Sequence, residues 1–192
     1  LSQLAGALEA AILASEAVGI DGEWRPQRVS GREEHDDKPA DAPLALLQLA
    51  LPTATFVIDM IAISAEATLS ASLQRLVARL MRAPTVPKLG FAMQEDLRRI
   101  DASLPGATDG AVAVFDLQKG ASKALGFPKR SLVGLAAACE SLLGMAVEKT
   151  EQTSDWAARP LTASQLAYAA TDARVLLLLA SALGRHTWTR TE

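Results

Sequence analysis

Two small groupings of oxygen-bearing side chains stand out in this 192-residue sequence. Asp21 and Glu23 lie two apart inside an apolar run, Val18-Gly19-Ile20-Asp21-Gly22-Glu23-Trp24. Along a strand that spacing sends both side chains to one face. Ionised carboxylates in such a run are costly without compensation, so a bound cation or a solvent-filled cleft is expected beside them. Spacing alone is weak, because Glu34-His35-Asp36 has the same acid-x-acid form in a polar stretch and reads as plain loop. The second grouping is Tyr168 and Asp172, which share a helical face at i and i+4 and interrupt an aliphatic pattern. Taken by itself, that pair also fits a surface tyrosine and an aspartate on a solvated stripe.

The elements that must position these groups follow from periodicity. Leu4, Leu8 and Ile12 give a helical spacing over 3–16, and the chain turns to strand near Gly19. Residues 27–43 are polar and mixed in charge and read as a solvated loop. Leu44 to Leu51 and Thr55 to Met60 are apolar runs split by Pro52 and Thr53, which predicts a tight antiparallel hairpin. A helix is expected from Ser64 to Met81, a strand at Val86 to Phe91, a helix from Gln94 to Ser103 and a strand at Ala111 to Leu117. Strands that first follow one another and then alternate with helices predict a mixed sheet. Further on, Ser131 can cap a helix reaching Leu143, with Gly144 as a left-handed stop. Thr162 and Gln165 form a capping box for a helix reaching Leu183, ahead of Gly184.

Bulk composition limits the alternatives. Hydrophobic residues make up 49% and charged residues 21%, which fits a single globular domain over 1–192 and argues against disorder. The apolar stretch from Leu161 to Leu183 contains Asp172 and Arg174, so a membrane span is rejected and no membrane partner is expected. The first residue is Leu1 and no basic lead-in of a signal peptide is present, so the chain reads as excised from a longer protein. Cys139, the single cysteine, reads as a small buried side chain. There is no Gly-x-Ser-x-Gly elbow, P-loop or zinc-type cysteine pair, and His35 and His186 read as surface residues. A net charge of −3 does not suggest a phosphate-rich partner, unless the site itself holds divalent cations.

The run Trp156-Ala157-Ala158-Arg159-Pro160-Leu161-Thr162-Ala163-Ser164-Gln165, with Tyr168 and Asp172 following in register, resembles the third exonuclease motif of the ribonuclease D and Werner-type 3'-to-5' exonuclease family. Asp21-x-Glu23 looks like that family's first motif, and Trp24 with Pro26 is similar to its exonuclease 3'-5' domain-containing branch. Lys88-Leu89-Gly90-Phe91, leading through Gln94-Glu95 to Asp96-Leu97, resembles the segment that supplies a third acid. The Asn common there is absent, which leaves Glu95 beside Asp96 as a candidate; the following Leu97 favours Asp96. Gln48 and Asp116-Leu117-Gln118 also look like family landmarks. Position 167, where another branch carries His, is Ala, so the resemblance is to the tyrosine type.

The resemblance implies an α/β, ribonuclease-H-like fold: a five-stranded mixed sheet, three antiparallel strands then two parallel, flanked by helices. It implies hydrolysis of phosphodiester bonds from the 3' end of a single-stranded nucleic acid, RNA or DNA. Two divalent cations are expected at Asp21, Glu23, Asp96 and Asp172, and four oxygen ligands without His or Cys select Mg²⁺ or Mn²⁺. Asp21 is expected to bridge the ions, Glu23 and Asp172 to complete one site and Asp96 to hold the other, with Tyr168 orienting the attacking water. Trp24, Gln48 and Arg159 are weaker substrate-contact candidates, and Arg159 equally fits an anchor for its turn. Arg98, Arg99, Lys119, Lys123, Lys129 and Arg130 either line a strand path or are scattered surface charge. Two rivals remain: a binding module that keeps the fold without the reaction, and an endonuclease of the same architecture.

Overall fold

Six strands, β1 (Val18–Trp24), β2 (Leu44–Ala50), β3 (Thr55–Asp59), β4 (Lys88–Gly90), β5 (Val114–Asp116) and β6 (Thr189–Arg190), form one sheet in the order β3-β2-β1-β4-β5-β6. The structure is a computed structural model and describes residues 2–24, 43–128, 130–185 and 188–191. β3, β2 and β1 are antiparallel, and β4 and β5 then run parallel to β1. This is the expected five-stranded mixed sheet, with the two-residue β6 added antiparallel at the β5 edge. The expected loop over 27–43 lies outside the described residues except for Pro43, as do Pro26, His35, Lys129 and His186.

Helices cover both faces, because each face alternates apolar side chains outward. On one side Val18, Ile20, Leu47 and Leu49 pack with Ile12 of α1 (Ser2–Leu13), with Leu76, Leu80 and Met81 of α3 (Ala67–Arg82), and with Ile100 of α4 (Gln94–Ser103). On the other, Leu89 meets Leu117 and Ala121 of α5 (Leu117–Ala124), Cys139 of α6 (Leu135–Leu143), and Leu176 and Leu179 of α7 (Ala163–Leu183). By length and composition α7 could cross a bilayer. It is instead the long core helix of this face, and its aliphatic character is that of a helix buried against a sheet.

Glycine permits the closest approach in this layer. A Cβ on Gly19 would stand 2.5 Å from the Ala173 carbonyl oxygen, so α7 lies against β1 at a distance only hydrogen allows. The Thr162–Gln165 capping box starts α7 as expected, with both reciprocal hydrogen bonds made.

Several boundaries differ from expectation, each for a local reason. The helix expected from Ser64 is two: α2 (Met60–Ser64), capped by Asp59, and α3, which begins at Ala67. Asp59 thereby ends β3 one residue before Met60. Strand β5 ends at Asp116, whose carboxylate accepts from the Gln118 N–H and starts α5, an element the sequence pattern did not announce. Ser131 does not cap α6, which begins at Leu135 after Gly134. Residues before it are tied to α5 instead: the Ser122 hydroxyl accepts from the Val133 N–H, and the Gln118 amide donates to the Val133 carbonyl. Gly144 ends α6 in the left-handed region at φ 65.

Candidate active site

β1 occupies the middle of the sheet and changes partner direction there, antiparallel to β2 and parallel to β4. Its pairing with β4 runs through Val18 and Gly19, and no further β1–β4 pair forms among the described residues. β1 therefore continues past β4, and a crevice opens at the C-terminal end of the parallel strands, where open α/β sheets place their ligands. Asp21 and Glu23 project from this stretch onto the face covered by α7.

There they meet Asp172. One carboxylate oxygen from each of Asp21, Glu23 and Asp172 lies within 4.8 Å of the others. Asp96, in the first turn of α4, approaches from the far side of β1: its Oδ1 is 3.4 Å from where a Cβ on Gly22 would stand. Glu95 is turned away and ion-pairs with Arg98 and with Arg99, the latter at 2.5 Å. Of the two adjacent acids, Asp96 is the one whose charge reaches Asp21 and Glu23, although it stands outside the group of three and outside the cavity lining.

Burial raises the proton affinity of each acid, and neighbouring negative charge adds to it at Asp21, Glu23 and Asp96. Burial first, and then the charge of Asp172, lifts Asp21 to about 7, while the Gly22 N–H draws it back. Burial and then the charges of Asp21, Asp172 and Asp96 lift Glu23 to about 9. Burial lifts Asp172 to about 6 against a hydrogen bond from Tyr168. Asp96 is held well above its ordinary value by burial and then by Asp21 and Glu95. The Tyr168 hydroxyl donates to Asp172, and burial followed by the surrounding negative charge pushes its own deprotonation far above the usual phenol range.

A cavity of about 360 Å³ opens onto the cluster, lined by Asp21, Glu23, Trp24, Phe91, Tyr168 and Asp172 and walled by Leu135, Val147, Glu148 and Lys149. Trp24 thus lines the same cavity, with the Arg99 guanidinium stacked 4.0 Å over its ring. The 147–153 wall was not marked by any motif or periodicity. Its position depends on how the connection from α6 to α7 folds back. Lys149 is the only cation among the described residues lining this cavity.

Two candidates stand elsewhere. Arg159 binds both Asp59 carboxylate oxygens at 2.7 Å and donates to the carbonyls of Trp156, Ala158 and Ala45, so it ties the turn before α7 to the end of β3. Gln48 is fully buried opposite Asp21 and does not reach the cavity. Cys139 is buried nearby, and burial followed by the charge of Asp172 lifts its thiol to about 11, which keeps it protonated at neutral pH in the metal-free protein. Arg98 and Arg99 are engaged by Glu95 and are not in the cavity lining, and neither are Lys119, Lys123 and Arg130.

The donor set fits a hard divalent cation. All the donors are carboxylate oxygens, Asp172 Oδ1 is buried with no hydrogen-bond partner, and burial together with neighbouring negative charge raises Asp21 and Glu23. A cation among them would offset that charge.

Comparison with known proteins shows the family. A family model described as 3'-5' exonuclease matches residues 2–188. The chain is 33% identical over 183 residues to the exonuclease mut-7 homolog of Homo sapiens, covering 88% of this chain and 20% of that protein. It therefore spans about a fifth of that relative's length. Among solved structures, Escherichia coli RNase D, described as an exoribonuclease involved in structured RNA processing, superposes with a TM-score of 0.74 at 26% identity. That match covers 96% of this chain and 43% of the other. The EXO domain of Aedes aegypti Nibbler superposes at 0.73 with 23% identity, over 94% of this chain and 83% of that one, which bears on the fold alone. The fold is ribonuclease-H-like.

Proposed function

The chain belongs to the 3'-5' exonuclease family, and from that premise we propose that it hydrolyses phosphodiester bonds at the 3' end of a single-stranded nucleic acid, releasing nucleoside monophosphates with the help of two divalent cations. The observation that carries this is the convergence of Asp21, Glu23 and Asp172 within 4.8 Å, with the Asp96 carboxylate coupled to them electrostatically from across β1. The likeness to E. coli RNase D, named as an exoribonuclease, supports RNA as one substrate class.

Asp21, Glu23 and Asp172 would hold one Mg²⁺ or Mn²⁺, and Asp96 with Asp21 the other. Bound there, such ions act as Lewis acids that stabilise charge on the attacking and leaving oxygens of an in-line displacement. The residues themselves do the positioning. Tyr168 keeps its proton at any working pH, so it orients rather than abstracts: its hydroxyl donates to Asp172 and offers a lone pair toward the cavity. Trp24 and Phe91 supply flat apolar walls suited to a terminal base, and Lys149 offers a positive charge for a phosphate. The 3' end is favoured over an internal bond because the chain belongs to the 3'-5' exonuclease family.

Digestion of 5'-labelled single-stranded RNA and DNA with Mg²⁺, Mn²⁺ or chelator tests this. A metal-dependent ladder shortening from the 3' end, absent in Asp21→Ala, is expected. Internal fragments would indicate the endonuclease, and intact substrate with a folded protein would indicate a binding module.

A further inference from the structure

Behind the carboxylate cluster, three buried polar groups lie between the sheet and α7 with no hydrogen-bond partner among the described residues. They are both side-chain amide atoms of Gln48, the indole Nε1 of Trp156 and Oδ1 of Asp172. Gln48 and Trp156 are fully buried, and Asp172 is 6% exposed. Buried polar groups are almost always satisfied, and these are not scattered. Gln48 stands directly across the β1–β2 ladder from Asp21, so the two side chains leave the same face. Two residues along β2, Leu46 packs with Trp156 and with Ala169, which lies one helical turn before Asp172. Val57, the neighbour of Gln48 on β3, joins that same cluster.

The chemistry of the three is complementary. Trp156 has a donor and no acceptor, an ionised Asp172 oxygen is an acceptor and no donor, and Gln48 brings one of each. We propose that Gln48 is a positioning residue for the cation site: through one enclosed water, since none of these atoms has a direct partner, its amide N–H serves Oδ1 of Asp172 and its amide oxygen serves the Trp156 indole. Asp172 is then held by Tyr168 and Gln48, with its remaining valence turned to Asp21, Glu23 and the bound ion. Partners of this kind orient metal-binding carboxylates elsewhere and are worth about ten- to a hundredfold in metal affinity. The proposal rests on the cation site inferred above.

Titration of Mg²⁺ and Mn²⁺ into the chain by calorimetry tests it, with Gln48→Met and Gln48→Glu beside the unaltered protein. Met keeps the length and bulk of Gln and removes its hydrogen-bonding atoms. Gln48→Met is expected to raise the metal Kd about tenfold or more while the metal-free melting temperature is held or raised. Gln48→Glu, which places a further negative charge behind Asp172, is expected to lower the metal-free melting temperature. A Kd for Gln48→Met within about twofold of the unaltered protein is too small for that role and overturns the proposal. Should both variants fail to fold, the unaltered protein still decides: the Gln48 side-chain amide resonance should shift and exchange more slowly as Mg²⁺ saturates, and a resonance that ignores Mg²⁺ overturns the assignment. Failure of the unaltered protein to bind either ion would instead remove the cation site itself.

Discussion

At the scale of single residues the site sets proton against cation. Tyr168 and Asp172 were legible as a pair because i and i+4 share a helical face, and Asp21 and Glu23 because two carboxylates in an apolar strand are anomalous. Position alone could not separate Asp96 from Glu95, and the structure separates them by partner: Glu95 is spent on Arg98 and Arg99. Tyr168→Phe keeps the ring packed 5.9 Å from Trp156 and removes only the hydroxyl. Its turnover is expected to fall about 10²-fold, the size of a lost orienting contact, and by more than Mn²⁺ affinity, which loses only one hydrogen bond to Asp172. Single-turnover cleavage alongside a metal titration checks this, and unchanged turnover would remove Tyr168 from the mechanism.

At the scale of elements, the strongly patterned segments were readable and the short connections were not. α4 and the capping box of α7 fall where the sequence places them, because periodicity and caps are local properties. The split between α2 and α3 depends on Asp59, whose carboxylate serves both the Ala62 N–H and Arg159, a residue distant in the chain. Such a junction is decided by tertiary partners. Asp116 is a similar case: its Oδ1 accepts from the N–H of Gln118 and also of Ala92, which sits at φ 60 in the turn that delivers α4. Its place among the family landmarks thus has a physical account, since that turn aims Asp96. The α7–β1 contact offers a direct test. Gly19→Ala puts a methyl 2.5 Å from the Ala173 carbonyl, against backbone that cannot turn aside. The expected loss is about 1–3 kcal/mol, measured by denaturant unfolding, with weaker Mg²⁺ binding because Asp172 shifts with its helix. Stability and metal affinity both equal to those of the parent would contradict the close packing.

At the scale of the whole molecule, the acidic cluster costs the metal-free protein stability, which the proposed cations would restore. Asp21, Glu23 and Asp172 have folded values of about 7, about 9 and about 6, all above their ordinary range. For acids raised on folding, the stabilising contribution is complete below the unfolded value and is lost as pH climbs through the folded one. The metal-free melting temperature is therefore expected to fall from about pH 5 to about pH 9, and saturating Mg²⁺ to restore it most at the alkaline end. Scanning calorimetry with chelator and with Mg²⁺ measures both, and Asp21→Asn should flatten the metal-free slope. A metal-free melting temperature that rises across that range would contradict the electrostatics.

The cluster is also spread along the chain. Asp21 and Glu23 lie near one end of the sequence, Asp96 near its middle and Asp172 on the helix that closes the second face. A ribosome making this protein exposes the first two acids long before the last is synthesised, so a nascent chain carries parts of a cation site but no assembled one. If the cluster holds cations as proposed, it can do so only once α7 is in place, and metal binding becomes a mark of completed folding.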